Sequence, residues 1–127
     1  MVARRSRFLV AGTVLAAALV LATPGAGARR RVADTAVGVG AREFHLAAYR
    51  ASAPAGVVRF NLTNYGQDAH DLVVRDRSGR TLGRTGRVRS GARATLALRL
   101  RPGTYRLVCD LSNHEALGMR TTIRVTR

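Results

Sequence analysis

The chain has 127 residues, and its 22 basic residues, all of them arginine, outnumber 7 acidic ones, giving a formal net charge of +15. This length suits one domain and leaves no room for a multi-domain enzyme. The single cysteine excludes an intrachain disulfide, a Cys-x2-Cys zinc or redox motif, a two-cysteine binuclear copper centre and a four-thiolate iron–sulfur cluster. A hydrophobic fraction of 46% is too high for a disordered chain.

The N-terminal segment has the three parts of a secretory signal. A basic start is followed by an apolar run over residues 8–22 and by the small residues 26–28, Ala-Gly-Ala. This pattern predicts a signal peptide over residues 1–28, cleaved after Ala28. An uncleaved membrane anchor is the alternative, but the run is shorter than the roughly 18 to 20 residues that a spanning helix needs.

The export route and the charge after cleavage follow from the same segment. Arg4 and Arg5 suggest twin-arginine export, but Phe8 stands one residue farther from the pair than is usual, which favours the general secretion route. Cleavage removes three of the 22 basic residues and none of the 7 acidic ones, so residues 29–127 carry +12. The protein is therefore predicted to act in the periplasm or at the outer cell surface.

Beyond a basic leader over residues 29–35, the apolar pattern of residues 36–127 has period two, which is typical of half-buried strands. Gly, Pro and Asn turn signals separate these runs, and residues 70–74 are predicted as a further strand that begins at His70. The period is clearest in four sets of alternating positions: Val58, Phe60 and Leu62; Ala94, Leu96, Leu98 and Leu100; Tyr105, Leu107 and Cys109; Met119, Thr121, Ile123 and Val125. The pattern predicts an all-β antiparallel sandwich or barrel.

The chemistry is concentrated in residues 109–119. Cys109, the only cysteine, is followed by His114 and then by Met119 in a Cys-x4-His-x4-Met arrangement. His70 precedes the cysteine at the start of another predicted strand. Soft and borderline donors are therefore collected on one loop and one neighbouring strand.

A lone cysteine in an exported protein is protected in one of three ways: burial as an inert thiol, an intermolecular disulfide, or binding to a metal as thiolate. Strand parity places Cys109 on the inward face with Tyr105 and Leu107, which weakens the intermolecular option. Burial alone does not account for His114 and Met119 on the same loop. Two imidazoles, a thiolate and a thioether form the donor set of a blue-copper site, whereas a thioether is a poor ligand for zinc.

These residues resemble a cupredoxin, a small exported blue copper protein, over nearly all of residues 36–126. The Pro54-Ala55-Gly56 strand opening and residues 69–74 around His70 carry the resemblance, together with a Cys-x4-His-x4-Met loop similar to those of rusticyanin- and sulfocyanin-type proteins. It implies a Greek-key antiparallel β-sandwich of seven to eight strands with one type 1 copper ion near one end. It also implies that His70, Cys109 and His114 are equatorial ligands and Met119 the axial one.

The sequence raises two further questions: how two carboxylates next to implied ligands are accommodated, and whether the third histidine is a ligand. Asp71 and Asp110 follow two of the implied ligands, and these carboxylates would repel each other unless arginine or backbone N–H groups lie between them. His45 has the opposite parity to Phe44 and Leu46, which predicts a surface residue and not a ligand.

One-electron transfer is the function that this ligand set predicts, with transient docking to redox partners that present acidic surfaces. Copper delivery or buffering is the alternative, although that class more often uses exposed Met-rich or His-rich ligands. An enzyme is not expected, because copper oxidases need further copper centres. The arginine-rich surface also suits anionic membrane or cell-wall contact, and export disfavours nucleic acid. The protein is expected to be a monomer.

Overall fold

A computed structural model describes residues 32–127, which form nine β-strands and no α-helix. The strands are β1 (Ala33–Arg42), β2 (His45–Ala48), β3 (Ser52–Pro54), β4 (Gly56–Asn64), β5 (Val73–Arg75), β6 (Thr81–Arg84), β7 (Arg93–Leu100), β8 (Gly103–Val108) and β9 (Arg120–Thr126). The predicted signal peptide lies outside the described residues. Within them, no helix is long and apolar enough to cross a membrane.

The strands form two sheets, one in the order β2-β1-β4-β7 and the other in the order β3-β9-β8-β5-β6. In the first sheet, Phe60 of β4 pairs with Val37 of β1 and with Leu96 of β7. Val37 and Phe60 are fully buried, and Leu96 packs partly buried against them. The period-two prediction for β4 and β7 is therefore confirmed.

The second sheet supplies the other wall of the core. Tyr105 and Leu107 of β8 face inward beside Ile123 and Val125 of β9, and all four belong to the same buried cluster as the residues of the first sheet. The predicted inward face of β8 continues to Cys109, which is fully buried. The all-β sandwich predicted from the sequence is thus confirmed.

The sandwich differs from the prediction in pairing and in strand number. β1 pairs in parallel with β4, and β3 pairs in parallel with β9, so both sheets are mixed and not purely antiparallel. The short strands β2 and β3 were not predicted, and they raise the number of strands to nine. β1 begins at Ala33, so the last residues of the predicted basic leader belong to a sheet.

The predicted strand over residues 70–74 is wrong in its first half. β5 begins at Val73, and His70 makes only one isolated bridge, to Val88. The N–H of Leu72 donates to Thr85 Oγ1 at 3.0 Å, and the N–H of Thr85 donates to the Leu72 carbonyl at 2.9 Å. A side-chain hydroxyl thus replaces a ladder partner, and His70 stands on a buried loop at the entrance to the sheet.

Candidate metal centre

Three potential donor atoms meet at one end of the sandwich. Cys109 Sγ lies 3.5 Å from Nδ1 of His114 and 3.9 Å from Nδ1 of His70, and the two Nδ1 atoms are 3.3 Å apart. All three residues are buried, and their donor atoms lie within 4.8 Å of one another. The same ring nitrogen of each histidine therefore faces the sulfur.

The loop that follows β8 returns the chain to this cluster. The N–H of Met119 donates to the carbonyl of His114 at 3.0 Å, and the N–H of Cys109 donates to the carbonyl of Met119 at 3.0 Å. Gly118 has φ +115°, a conformation that residues with a Cβ rarely adopt. These bonds close the loop, and Met119 at its end is fully buried.

Asp71 and Asp110 do not repel each other across the site, because a backbone group lies between them. Asp71 is almost fully buried, and its Oδ1 accepts the N–H of Asp110 at 2.7 Å. The Asp110 carboxylate turns away to two arginines, Arg75 at 2.9 Å and Arg84 at 3.3 Å. Asp71 thus joins the His70 loop to the residue after Cys109. Both kinds of group expected between the two carboxylates, a backbone N–H and arginines, are present.

Arginines also hold the outer side of the ligand loop. Glu115 accepts from Arg75 Nη1 and from Arg106 Nη2, both at 2.8 Å. Arg75 is only 18% exposed and bridges Glu115 to Asp110, so one guanidinium contacts both the start and the middle of the loop. The bond to Glu115 is the main cause that raises the pKa of Arg75. Sequence reasoning missed this role of Glu115, because its sequence context is that of an ordinary loop residue.

The turn between β1 and β2 also contacts both histidines. Nε2 of His70 lies 3.2 Å from Oε1 of Glu43, and the ring of Phe44 packs on the ring of His114 with 5.0 Å between centroids. Sequence reasoning missed both contacts, because Glu43 is 27 positions from His70 and no motif joins them. Only the register of β1 on β4 brings the turn to the site.

The remaining histidine is placed as predicted. His45 is exposed at the start of β2 and is not a member of the donor cluster. Burial raises the pKa of the Cys109 thiol, so the metal-free side chain is protonated at neutral pH. A metal bound here would therefore displace a proton from the sulfur.

A small all-β sandwich with a buried Cys–His–His cluster defines the class as a β-sandwich protein with a potential metal site. The sequence profile of the cupredoxin-like domain family matches residues 12–121. The chain belongs to the cupredoxin-like family. One copper ion is the cofactor that the family implies, and a thiolate with two imidazoles and a neighbouring thioether is a donor set that fits it.

Solved structures show the same fold at low sequence identity. Auracyanin A, a "blue" copper protein from Chloroflexus aurantiacus, aligns with a TM-score of 0.62 at 10% identity, covering 74% of this chain and 100% of that one. Auracyanin from Roseiflexus castenholzii gives 0.57 at 15% identity, covering 74% and 97%. Rusticyanin from Thiobacillus ferrooxidans gives 0.58 at 17% identity, covering 72% and 77%. Comparison with curated protein sequences finds no significant match.

Proposed function

We propose that the protein is a mononuclear blue copper protein that carries single electrons. In this proposal, Nδ1 of His70, Nδ1 of His114 and Sγ of Cys109 would hold the copper ion, and the thioether of Met119 would be a fourth, weaker ligand. The convergence of the two Nδ1 atoms and the sulfur, all buried, is the observation that carries the proposal. Copper in such a site would supply a one-electron redox couple.

Burial of the donors favours electron transfer over copper delivery. His70 and Cys109 are fully buried, and His114 is 9% exposed. A carrier that releases its metal needs donors that solvent or a partner can reach, whereas an electron carrier retains its metal. Hydrogen bonds and ion pairs that close the ligand loop also favour retention.

The surface next to His114 offers a site for transient docking. Phe44 lies on the His114 ring at 37% exposure, and Leu117 is 50% exposed. Ala116 is exposed beside them, and Leu111 is half-buried. We infer that a redox partner docks on this apolar surface, and that acidic groups on the partner are attracted by the surrounding arginines.

The donor cluster would hold a single copper ion, and copper oxidases need further copper centres, so we propose a carrier and not an enzyme. A groove of about 1290 Å³ lies on the outer face of the second sheet, and none of the four proposed ligands lines it.

The N-terminal pattern over residues 1–28 supports export, with cleavage after Ala28. Export would place the electron carrier outside the cytoplasm.

The visible spectrum tests this proposal. Purified residues 29–127 loaded with Cu(II) should show an intense charge-transfer band, and Cys109→Ser should abolish it, because the sulfur is the donor of that transition. His45→Ala is the matched control and should leave the band unchanged. A band that survives in Cys109→Ser, or that is lost in His45→Ala, would contradict the proposed ligand set.

A further inference from the structure

The two-residue turn between β1 and β2 holds a charged side chain against the proposed ligand His70. Glu43 Oε1 lies 3.2 Å from His70 Nε2, on the side of the imidazole opposite the donor cluster. A neutral imidazole carries one proton, so one ring nitrogen donates and the other accepts. A carboxylate can only accept, and the contact therefore places the proton on Nε2. Nδ1 is left with its lone pair directed at Cys109 and His114.

The Glu43 carboxylate is itself fixed in this position. Its Oε1 also accepts the backbone N–H of Asp68 at 2.6 Å. Gly66 provides the space, because a Cβ at that position would clash with the carboxylate. The N–H of Gly66 donates in turn to Asn64 Oδ1 at 2.8 Å, which holds the loop in place. The carboxylate is therefore held between the backbone of Asp68 and the imidazole of His70.

We propose that Glu43 is a positioning residue that selects the Nε2–H tautomer of His70 and lowers the reduction potential of the copper centre. The part of this inference that concerns the reduction potential rests on the proposed function. A carboxylate that accepts from a ligand imidazole makes that imidazole a better donor, and its negative charge favours the more highly charged metal. The other half of the turn, Phe44, packs on His114, so one turn contacts both imidazoles.

The tautomer is measured first, without metal. Nitrogen-15 NMR of the metal-free protein should show His70 as the Nε2–H form. In Glu43→Leu the ratio of the two tautomers should shift toward Nδ1–H by about tenfold, because a charged acceptor is lost. Gly66→Ala should shift the ratio in the same direction, since it displaces the carboxylate while Glu43 remains. A ratio unchanged in both folded variants would overturn the inference.

The reduction potential is measured second, with copper bound. Glu43→Gln keeps an acceptor oxygen and removes the charge, and it should favour Cu(I) over Cu(II) by about tenfold, which is about 59 mV for one electron. Asp68→Asn is the matched control. It removes one charge from the same loop and keeps the backbone N–H that Glu43 accepts.

The control decides between a contact effect and a general charge effect. Asp68→Asn should shift the potential by less than half as much as Glu43→Gln and should leave the His70 tautomer unchanged. Equal shifts in the two variants would overturn the proposed role in tuning the potential. A wild-type protein that stays colourless with Cu(II) would contradict the proposed function instead, since the tautomer measurement needs no metal.

Discussion

At the scale of single residues, Met119 offers a sharp test of the centre. Its side chain is fully buried, and its backbone is bonded to both Cys109 and His114. Met119→Leu keeps the volume and removes the thioether. We expect copper to remain bound and its reduction potential to rise, because a weak donor to oxidised copper is lost. Cyclic voltammetry with metal analysis measures both. Loss of copper would contradict the assignment of Met119 as a weak ligand of the copper ion.

The residue types and their spacing predicted the cluster, because the chain offers one cysteine and three histidines. Two of those histidines lie beside the sulfur and one is exposed on β2, as predicted. Glu43 could not be found in this way. Its contact with His70 depends on the register of a parallel strand pair, and a carboxylate on a turn has the sequence signature of an ordinary surface residue.

At the scale of structural elements, Arg75 joins the ligand loop to β5. Its side chain bridges Glu115 and Asp110, and it is 18% exposed. Arg75→Met should lower the free energy of unfolding of the metal-free protein by about 1 to 2 kcal/mol, between the values for exposed and buried ion pairs. Arg75→Lys should recover only part of the loss, because an ammonium cannot match the fork of a guanidinium.

Urea denaturation measures these changes, and Arg80→Met is the control. Arg80 also pairs with a carboxylate, that of Asp76, but it is 74% exposed. Removal of this exposed pair should cost less than about 0.5 kcal/mol. If Arg75→Met costs no more than Arg80→Met, the network does not hold the ligand loop.

The elements themselves were predictable where a strand has one wet face. β4, β7, β8 and β9 alternate inward apolar residues with outward ones, and the structure turns the predicted face of each strand inward, although the face of β7 is only half-buried before Leu100. β2 and β3 are only four and three residues long, too short for a period to emerge. The parallel pairing of β1 with β4 is a long-range choice that no local pattern encodes.

At the scale of the whole molecule, the charge is unevenly compensated. Six of the seven acidic residues are engaged at fixed positions by an arginine, a histidine or backbone and hydroxyl donors: Asp34, Glu43, Asp71, Asp76, Asp110 and Glu115. Few acidic groups are therefore left to offset the remaining arginines. The positions of these arginines decide whether their charge assists docking at the metal end.

Each end of the sandwich has its own group of arginines. Val88 forms a bridge with His70, so its exposed neighbours Arg87 and Arg89 lie close to the proposed metal end. Arg42 adjoins Glu43 in the chain. The opposite group lines the groove on the second sheet: Arg77, Arg124 and Arg127. β9 rises about 3.3 Å per residue from its start beside Met119, so Arg127 lies about 25 Å from that end.

Neutralising each group in turn tests electrostatic steering toward the metal centre. Stopped-flow reduction of the copper-loaded protein by hexacyanoferrate(II), an anion, should slow steeply between 0.01 and 0.15 M salt, where the Debye length falls from about 30 Å to about 8 Å. Replacing Arg42, Arg87 and Arg89 with Gln should flatten this dependence. The same replacement at Arg77, Arg124 and Arg127 removes equal charge and should flatten it less, because these charges lie farther from the metal end and attract an anion at that end more weakly. Equal flattening in both triple variants would mean that net charge alone, and not charge at the metal end, sets the encounter rate.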